Sequence, residues 1–355
     1  MEDRPDAMAA TPLLEPTGEG LYCAAGDFHV DPWRPVDRAV ITHAHSDHAS
    51  RGCGRYLTTK AGARVLRARM LPGAAIDEVE YGEAVDINGV RVELHPAGHI
   101  LGSAQVRVKH LGEIWVISGD YKVEADATCA AFEAVRCHTF VSESTFALPI
   151  YRWEPQVETF ARISEWWRFN REAGRASMLY GYALGKAQRM IAGVDPTIGP
   201  IITHGAVEAM TRGYRETGVA LPPTTYASEL PKGTDFRGAL IVAPPSAHGT
   251  SWARRFAPLS TGFASGWMRI RGARRRRSVD RGFVLSDHAD WPGLVAAIEA
   301  TGASRVELTH GYSAVLARWL KDRGLETGTI ATRYQGERDD SSEAEGEPST
   351  EEPAS

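Results

Sequence analysis

Cysteine is scarce in this chain: there are four in 355 residues, Cys23, Cys53, Cys129 and Cys137, with no Cys-x-x-Cys pair and no framework spacing. A disulfide scaffold is therefore not expected, and the pattern fits reduced, mostly structural thiols. No uninterrupted apolar run reaches the length of about 18 residues that a membrane-spanning helix requires. The opening stretch Met1 to Pro16 is mixed and acidic, without the pattern of a secretory signal, so the expected location is cytoplasmic. No internal repeat at a fixed period is visible. What the chain has in quantity is core material, since 43% hydrophobic and 24% charged residues over this length can bury a large core and suffice for two domains.

Charge is unevenly placed. From Glu337 to Ser355 eight acidic residues face one basic residue, Arg338, so the tail carries more than the whole formal charge of −5 and leaves a slightly positive body. Rich in Ser, Pro and Glu and without periodic apolar positions, residues 336–355 are expected to be disordered and outside the fold. Residues 1–18 are expected to be a flexible N-terminus.

The densest chemistry lies in Thr42-His43-Ala44-His45-Ser46-Asp47-His48, directly after the apolar run Ala39-Val40-Ile41. Residues two apart on an extended chain project to one face, so His43 and His45 can turn towards one point, while Asp47 and His48 on the turn beyond can reach a second. Imidazoles and carboxylates together suit zinc or manganese, and an Asp between two ions is the feature of two-metal hydrolytic sites. Further candidates each end a strand-like run: Asp120 after Ile114 to Ser118, and His310 after Val306 to Thr309, with His99 in the glycine-flanked loop Gly98 to Gly102. Asp31, beside the strand-like Phe28 to Val30, is placed to orient the metal-site histidines, with Asp27 as its alternative.

Residues 19 to 145 alternate short strands and turns with one helix, Ala61 to Leu71, stopped by Pro72-Gly73. Asn88-Gly89 signals a hairpin. This part reads as a mostly antiparallel sheet with helices covering one face. After about residue 150 a long helical stretch, Glu154 to Glu172, precedes alternating strand-like and helix-like segments, as expected of a small parallel α/β domain inserted into the first fold. From Gly282 the ligand-bearing style returns, with Ser286-Asp287-His288-Ala289-Asp290 and Thr309-His310-Gly311.

The His-x-His-x-Asp-His pattern resembles the signature of the metallo-β-lactamase fold, which implies an α/β sandwich of αββα layers. The insertion, preceded by Ser142-Glu143-Ser144-Thr145 and followed by Ser286-Asp287-His288-Ala289-Asp290 and Thr309-His310-Gly311, looks like the β-CASP branch of nucleases on that fold. Gly185-Lys186-Ala187-Gln188 resembles the branch's Gly-Arg-Ala-Gln segment. Gly26-Asp27-Phe28 and Asp31-Pro32-Trp33-Arg34-Pro35-Val36 are similar to runs of bacterial ligase-associated DNA exonucleases. The resemblance implies a split metallo-β-lactamase domain over 19–150 and 270–335 with a β-CASP domain inserted at 151–269. It implies two divalent ions, zinc first and manganese second: one held by His43, His45 and His99, the other by Asp47, His48 and His310, with Asp120 bridging. It further implies His288 as general acid, with Glu143 orienting it and keeping it cationic.

Nine arginines against one acid, Asp280, lie between Arg254 and Arg281, interleaved with Phe256, Phe263 and Trp267. A run of charge is usually a solvated face, but this one suits a grip on a polyanion through Lys186, Arg269, Arg271, Arg274, Arg275, Arg276 and Arg277. The sequence thus predicts a two-metal phosphodiesterase acting on nucleic acid, DNA before RNA. A DNA exonuclease in repair, working beside a ligase and helicase and away from membranes, comes first, and an RNA-processing nuclease second. A small-molecule metallo-hydrolase would share the ligands without needing the insertion, the arginines or the Glu143 and His288 pair. A non-catalytic scaffold would be expected to have lost ligands, and all seven are present.

Overall fold

Three sheets organise residues 12–270 and 278–331, the parts described by this computed structural model. The first takes its strands in chain order: Glu15–Pro16, Leu21–Cys23, Phe28–Val30, Arg38–Val40, Arg55–Thr59 and Ile76–Val79. The second runs from Glu326–Thr329 through Arg305–Thr309, Thr139–Glu143, Glu113–Ile117, Ala104–His110 and Val90–Pro96 to Ala84–Ile87. The expectation of one mostly antiparallel sheet is therefore corrected to two mixed sheets. Parallel neighbours need crossover connections, and the early chain supplies them. The helix Lys60–Arg69 links two parallel neighbours in the first sheet, and the histidine-bearing loop 41–54 is itself the crossover between Arg38–Val40 and Arg55–Thr59.

The two sheets share a core. Phe28, Val30, Val40 and Leu57 meet Val92, Leu94, Val106, Trp115 and Val141, all buried, each such burial contributing roughly 1.5–3 kcal/mol. Val65 and Leu66 of Lys60–Arg69 cover the outer face of the first sheet. Leu294 and Ile298 of Trp291–Thr301 and Leu316 and Leu320 of Ser313–Lys321 cover the outer face of the second. The layers are helix, sheet, sheet, helix, the α/β sandwich expected from the sequence.

Local chemistry accounts for the boundaries. Thr59 caps Lys60–Arg69 by accepting a hydrogen bond from Gly62 N at 3.0 Å, and the helix stops before Leu71-Pro72. Asn88 and Gly89 both hold positive φ, +52° and +83°, as a tight hairpin between strands of right-handed twist requires. Asp290 caps Trp291–Thr301, and Gly302 ends it at φ +64°.

The third sheet is wholly parallel, in the order Thr225–Tyr226, Ile201–Thr203, Leu240–Ala243, Ala176–Tyr180, Leu259–Ala264, Arg281–Phe283. Its inner strands Ala176–Tyr180 and Leu240–Ala243 are continuous runs of buried residues, as expected where helices pack on a parallel sheet. The chain enters it after Thr139–Glu143 and comes back as Arg305–Thr309, which pairs with Thr139–Glu143 in parallel and sets Glu143 opposite Thr309. Glu113–Ile117 flanks Thr139–Glu143 on the other side, also in parallel. Three neighbouring strands thus end on one edge of the second sheet, and just there stand Asp120, Glu143 and His310.

All four cysteines are free thiols. Among the described residues no helix is long and apolar enough to cross a membrane. The expected acidic tail 336–355, most of the expected flexible N-terminus, and Arg271, Arg274, Arg275, Arg276 and Arg277 lie outside the described residues.

Candidate metal centre

Five imidazoles converge on one carboxylate. His43, His45, His99 and Asp120 form one group of potential ligand atoms within 4.8 Å of one another, and His48, Asp120 and His310 form a second. Asp120 Oδ2 lies 3.6 Å from His43 Nε2, 3.8 Å from His99 Nε2 and 3.4 Å from His48 Nε2. His43 Nε2 and His99 Nε2 each lie 3.1 Å from His45 Nδ1. Nitrogen ligands at about 2.05 Å from a tetrahedral ion stand about 3.3 Å apart, so these spacings are those of an ion's ligand shell. Asp47 adds a carboxylate whose Oδ2 is 3.6 Å from His48 Nε2.

The outward nitrogens show why a cation fits. His45 Nε2 faces Leu184 O at 3.2 Å and His99 Nδ1 faces Asp287 O at 2.8 Å. Carbonyls only accept, so those nitrogens carry the hydrogens and the inward ones carry lone pairs. Thr42 Oγ1 donates to Asp31 Oδ2 at 2.5 Å and so accepts from His43 Nδ1 at 3.1 Å, which leaves His43 Nε2 bare as well. Lone pairs 3.1 Å apart repel unless something positive sits between them. His48 Nε2 is buried, without a hydrogen-bond partner among the described residues. It faces carboxylate oxygens of Asp120 and Asp47 at 3.4 and 3.6 Å without good hydrogen-bond geometry, an arrangement that suits a cation among the three.

The electrostatics point the same way. Burial, together with the neighbouring imidazoles, holds His43 and His99 well below the ordinary histidine pKa, so both are neutral and able to ligate. Burial also lowers His45. Burial opposes charge on His48 too, but the carboxylates of Asp120, Asp47 and Asp31 outweigh it and lift His48 well above the ordinary value. Burial would raise Asp120, yet His48 and His288 hold it well below the usual carboxylate range.

Backbone shape fixes the positions. Gly119 takes φ +55°, and a Cβ there would come within 2.6 Å of Thr42, so glycine lets the Asp120 loop lie against the histidine loop. Asp31 and His310 hold left-handed φ of +45° and +56°, conformations that cost free energy and cluster at functional sites. Asp31 accepts from Thr42 N at 2.8 Å and from His48 Nδ1 at 2.7 Å, so it orients His48 rather than His43 or His45 directly. Asp27, the alternative, is exposed and accepts from the Tyr22 hydroxyl.

Beside Asp120 stand Glu143 and His288, which with it form a third buried group. His288 Nδ1 lies 2.8 Å from Glu143 Oε2 and 3.0 Å from Oε1, and Oε1 also accepts from Tyr121 N at 2.8 Å. Trp153 Nε1 donates to His288 O at 3.0 Å, and His288 N donates to Ser286 Oγ at 3.0 Å.

Of the expected grip residues, only Lys186 and Arg269 lie among the described residues. Lys186 is fully buried, with its ammonium 3.2 Å from Asp287 Oδ2, which corrects the expectation of a phosphate contact: opposite a buried carboxylate, the cation is used internally. Arg269 is exposed at the end of the turn Gly266–Arg269. His248, in the loop after Leu240–Ala243, is exposed against the Tyr180 ring.

Sequence reasoning misses Arg189, which is 1% exposed. It lies 2.8 Å from Asp126 Oδ2 and 2.9 Å from Asp287 Oδ1, and donates to His99 O at 2.9 Å and Ser286 O at 3.1 Å. The available signal is a charge one helical turn after Lys186, directly before the apolar pair Met190-Ile191.

No family model matches the chain. Over 319 residues, 89% of this chain, it is 30% identical to a protein named "Probable DNA ligase" from Opitutus terrae, of which it spans 31%. It is 27% identical over 159 residues to Endoribonuclease YSH1 of Saccharomyces cerevisiae, covering 44% of this chain and 19% of that one. It is also 27% identical over 122 residues to Cleavage and polyadenylation specificity factor subunit 3 of Dictyostelium discoideum, covering 34% and 16%. The chain therefore spans a third or less of these curated relatives. Among solved structures, a protein of unknown function from Enterococcus faecalis V583 shares the fold at a TM-score of 0.56 and 13% identity, over 83% of this chain and 79% of that one.

Proposed function

The chain belongs to the β-CASP branch of the metallo-β-lactamase fold, and from that premise we propose that it is a metal-dependent hydrolase of phosphodiester bonds in nucleic acid. One observation carries this reading: Asp120 belongs at once to both candidate ligand groups and to the Glu143 and His288 group. One ion would be held by His43, His45, His99 and Asp120, the other by Asp47, His48, Asp120 and His310. Neutral imidazoles with carboxylates favour zinc, with manganese second. Two such ions, when bound, supply water activation and stabilise charge on phosphoryl oxygens.

The chain's own residues do the rest. Asp31 fixes the ring of His48, and the carbonyls of Leu184 and Asp287 fix His45 and His99. His288 delivers a proton to the departing sugar oxygen, and Glu143 holds its Nδ1 side and stabilises its charge. Trp153 anchors the His288 backbone. Arg269, Arg271 and Arg274 to Arg277 grip phosphates. The return of the chain beside Thr139–Glu143 supports a metal-bearing unit over 19–150 that resumes after an inserted β-CASP unit. Pairing of Arg281–Phe283 in the third sheet supports running that unit on from residue 269 to at least Phe283.

DNA is the preferred substrate, with exonucleolytic action in repair beside a ligase and helicase. The match to the protein named a DNA ligase supports this because it covers nearly the whole chain, whereas the endoribonuclease match covers under half. Those endoribonuclease relatives favour RNA processing as the second reading. The test is metal-reconstituted protein with end-labelled single- and double-stranded DNA and matched RNA. Release of mononucleotides from DNA ends is expected. Internal cuts confined to RNA would favour the second reading, and inertness towards both would overturn the proposal.

A further inference from the structure

A buried polar assembly outside the ligand shell centres on Arg189 of the helix Lys186–Gly193, which packs on the third sheet. Its guanidinium reaches three segments remote in sequence. Nη2 donates to the carbonyl of His99 at 2.9 Å. Nη1 donates to Asp287 Oδ1 at 2.9 Å and to Ser286 O at 3.1 Å. Nε lies 2.8 Å from Asp126 Oδ2. Lys186, one helical turn earlier, lies 3.2 Å from the other Asp287 oxygen. Two cations thus face two carboxylates in a buried cluster, where an unpaired charge would be costly.

The arrangement has a direction. The Asp287 main-chain carbonyl takes the hydrogen of His99 Nδ1 at 2.8 Å, and this contact leaves the lone pair of His99 Nε2 aimed at the candidate metal centre. Arg189 grips both partners of that contact, the backbone of His99 from one side and the side chain of Asp287 from the other. It also grips Ser286, whose hydroxyl accepts from the backbone N of His288. We infer that Arg189 is a positioning residue: from the inserted sheet it sets the tautomer and aim of His99 and the seat of His288, coupling ion affinity to proton delivery. The inference rests on His99 being a metal ligand.

Lysine cannot copy the fork, because one ammonium cannot reach the His99 carbonyl and Asp287 together, although it keeps the charge. Arg189→Lys is therefore the first variant, read by zinc competition against a chelating dye and by the 15N shifts of His99 in metal-free protein. The expected result is a 10- to 100-fold loss of affinity for one of two zinc ions, the usual cost of removing a ligand's hydrogen-bond partner. Loss of the single Nδ1–H tautomer signal of His99 should accompany it. Asp126→Asn, which leaves the contacts to His99 and Asp287 in place, should show neither effect. If Arg189→Lys does not fold, Asp287→Asn carries the same two readouts, since it loosens the carbonyl that meets His99 while keeping an acceptor for Arg189. Parental zinc affinity and tautomer in whichever of these variants folds would overturn the inference. His99→Ala separates the two readings: if it too keeps both zinc ions, the assignment of His99 as a ligand fails first.

Discussion

Glu143→Gln isolates the charge of one carboxylate with almost no change of shape. Both oxygens of Glu143 lie within 3.0 Å of His288 Nδ1, and Oε1 must also accept from Tyr121 N. A glutamine can keep its oxygen in the Oε1 position, which places its amide nitrogen in the Oε2 position, where a donor then confronts the Nδ1 hydrogen of a protonated His288. The pair is almost fully buried, so water cannot compensate. A hydrogen bond to a charged group contributes roughly 1.5–3 kcal/mol, which converts to a turnover about 10- to 160-fold slower. His288→Ala removes the donor itself and should cost on the order of 10² to 10⁴. The assay is single-turnover cleavage of an oligonucleotide and of its twin with sulfur in place of the departing oxygen, which needs little protonation. Both variants should cleave the sulfur substrate nearly as fast as the parent protein. The double variant should be little worse than His288→Ala, because the two act as one unit. Equal slowing of both substrates would refute the acid role, and coincident loss of metal would make His288 a ligand or a support.

Asp120→Ala should abolish activity and lower the metal content below about two ions per chain, and elemental analysis finding one ion or fewer in the fully active parent would contradict the shared carboxylate. Replacing Arg274 to Arg277 together by Ala should weaken binding regardless of sequence and flatten its salt dependence, since each lost phosphate contact removes counterion release; an unchanged slope would reduce the run to a solvated loop. His48, lifted above the ordinary imidazole pKa, holds a proton at neutral pH without metal, so zinc binding at pH 7 should release about one proton and tighten as pH rises. In the metal-free protein the sign reverses: the charged His48 stabilises the fold below the ordinary pKa, and that stability is lost as pH rises through the raised value. Calorimetric heats that do not depend on the buffer's own ionisation heat would rule out the proton release.

The residues most legible in the sequence are those whose chemistry restricts the choice of amino acid. His43, His45, His48, His99, Asp120 and His310 can be picked out because few other side chains bind divalent ions, and the fold does bring them within reach of one another. Turn chemistry is equally local, as Asn88-Gly89 and Thr59 show. Pairing direction is not, which is why two mixed sheets replace the single antiparallel one: whether Arg38–Val40 and Arg55–Thr59 run parallel depends on the path of the loop between them. Lys186 shows the limit of motif reading, since a cation on a helix looks the same whether it faces phosphate or a buried Asp287. Arg189 is harder still, because its partners at 99, 126 and 286–287 converge only in three dimensions.

The pairing of Thr139–Glu143 with Arg305–Thr309 also orders events in time. Six of the seven candidate ligands lie between His43 and Asp120, whereas His288 and His310 follow only after the whole third sheet. At about 5–20 residues per second, the ribosome delivers His310 roughly 10–40 s after Asp120. A nascent chain can therefore gather most of an ion's ligands well before it owns a proton donor. A hydrolase of the proposed kind thus stays unarmed until its third sheet has been made, and chains stalled short of residue 288 should take up zinc without cutting nucleic acid.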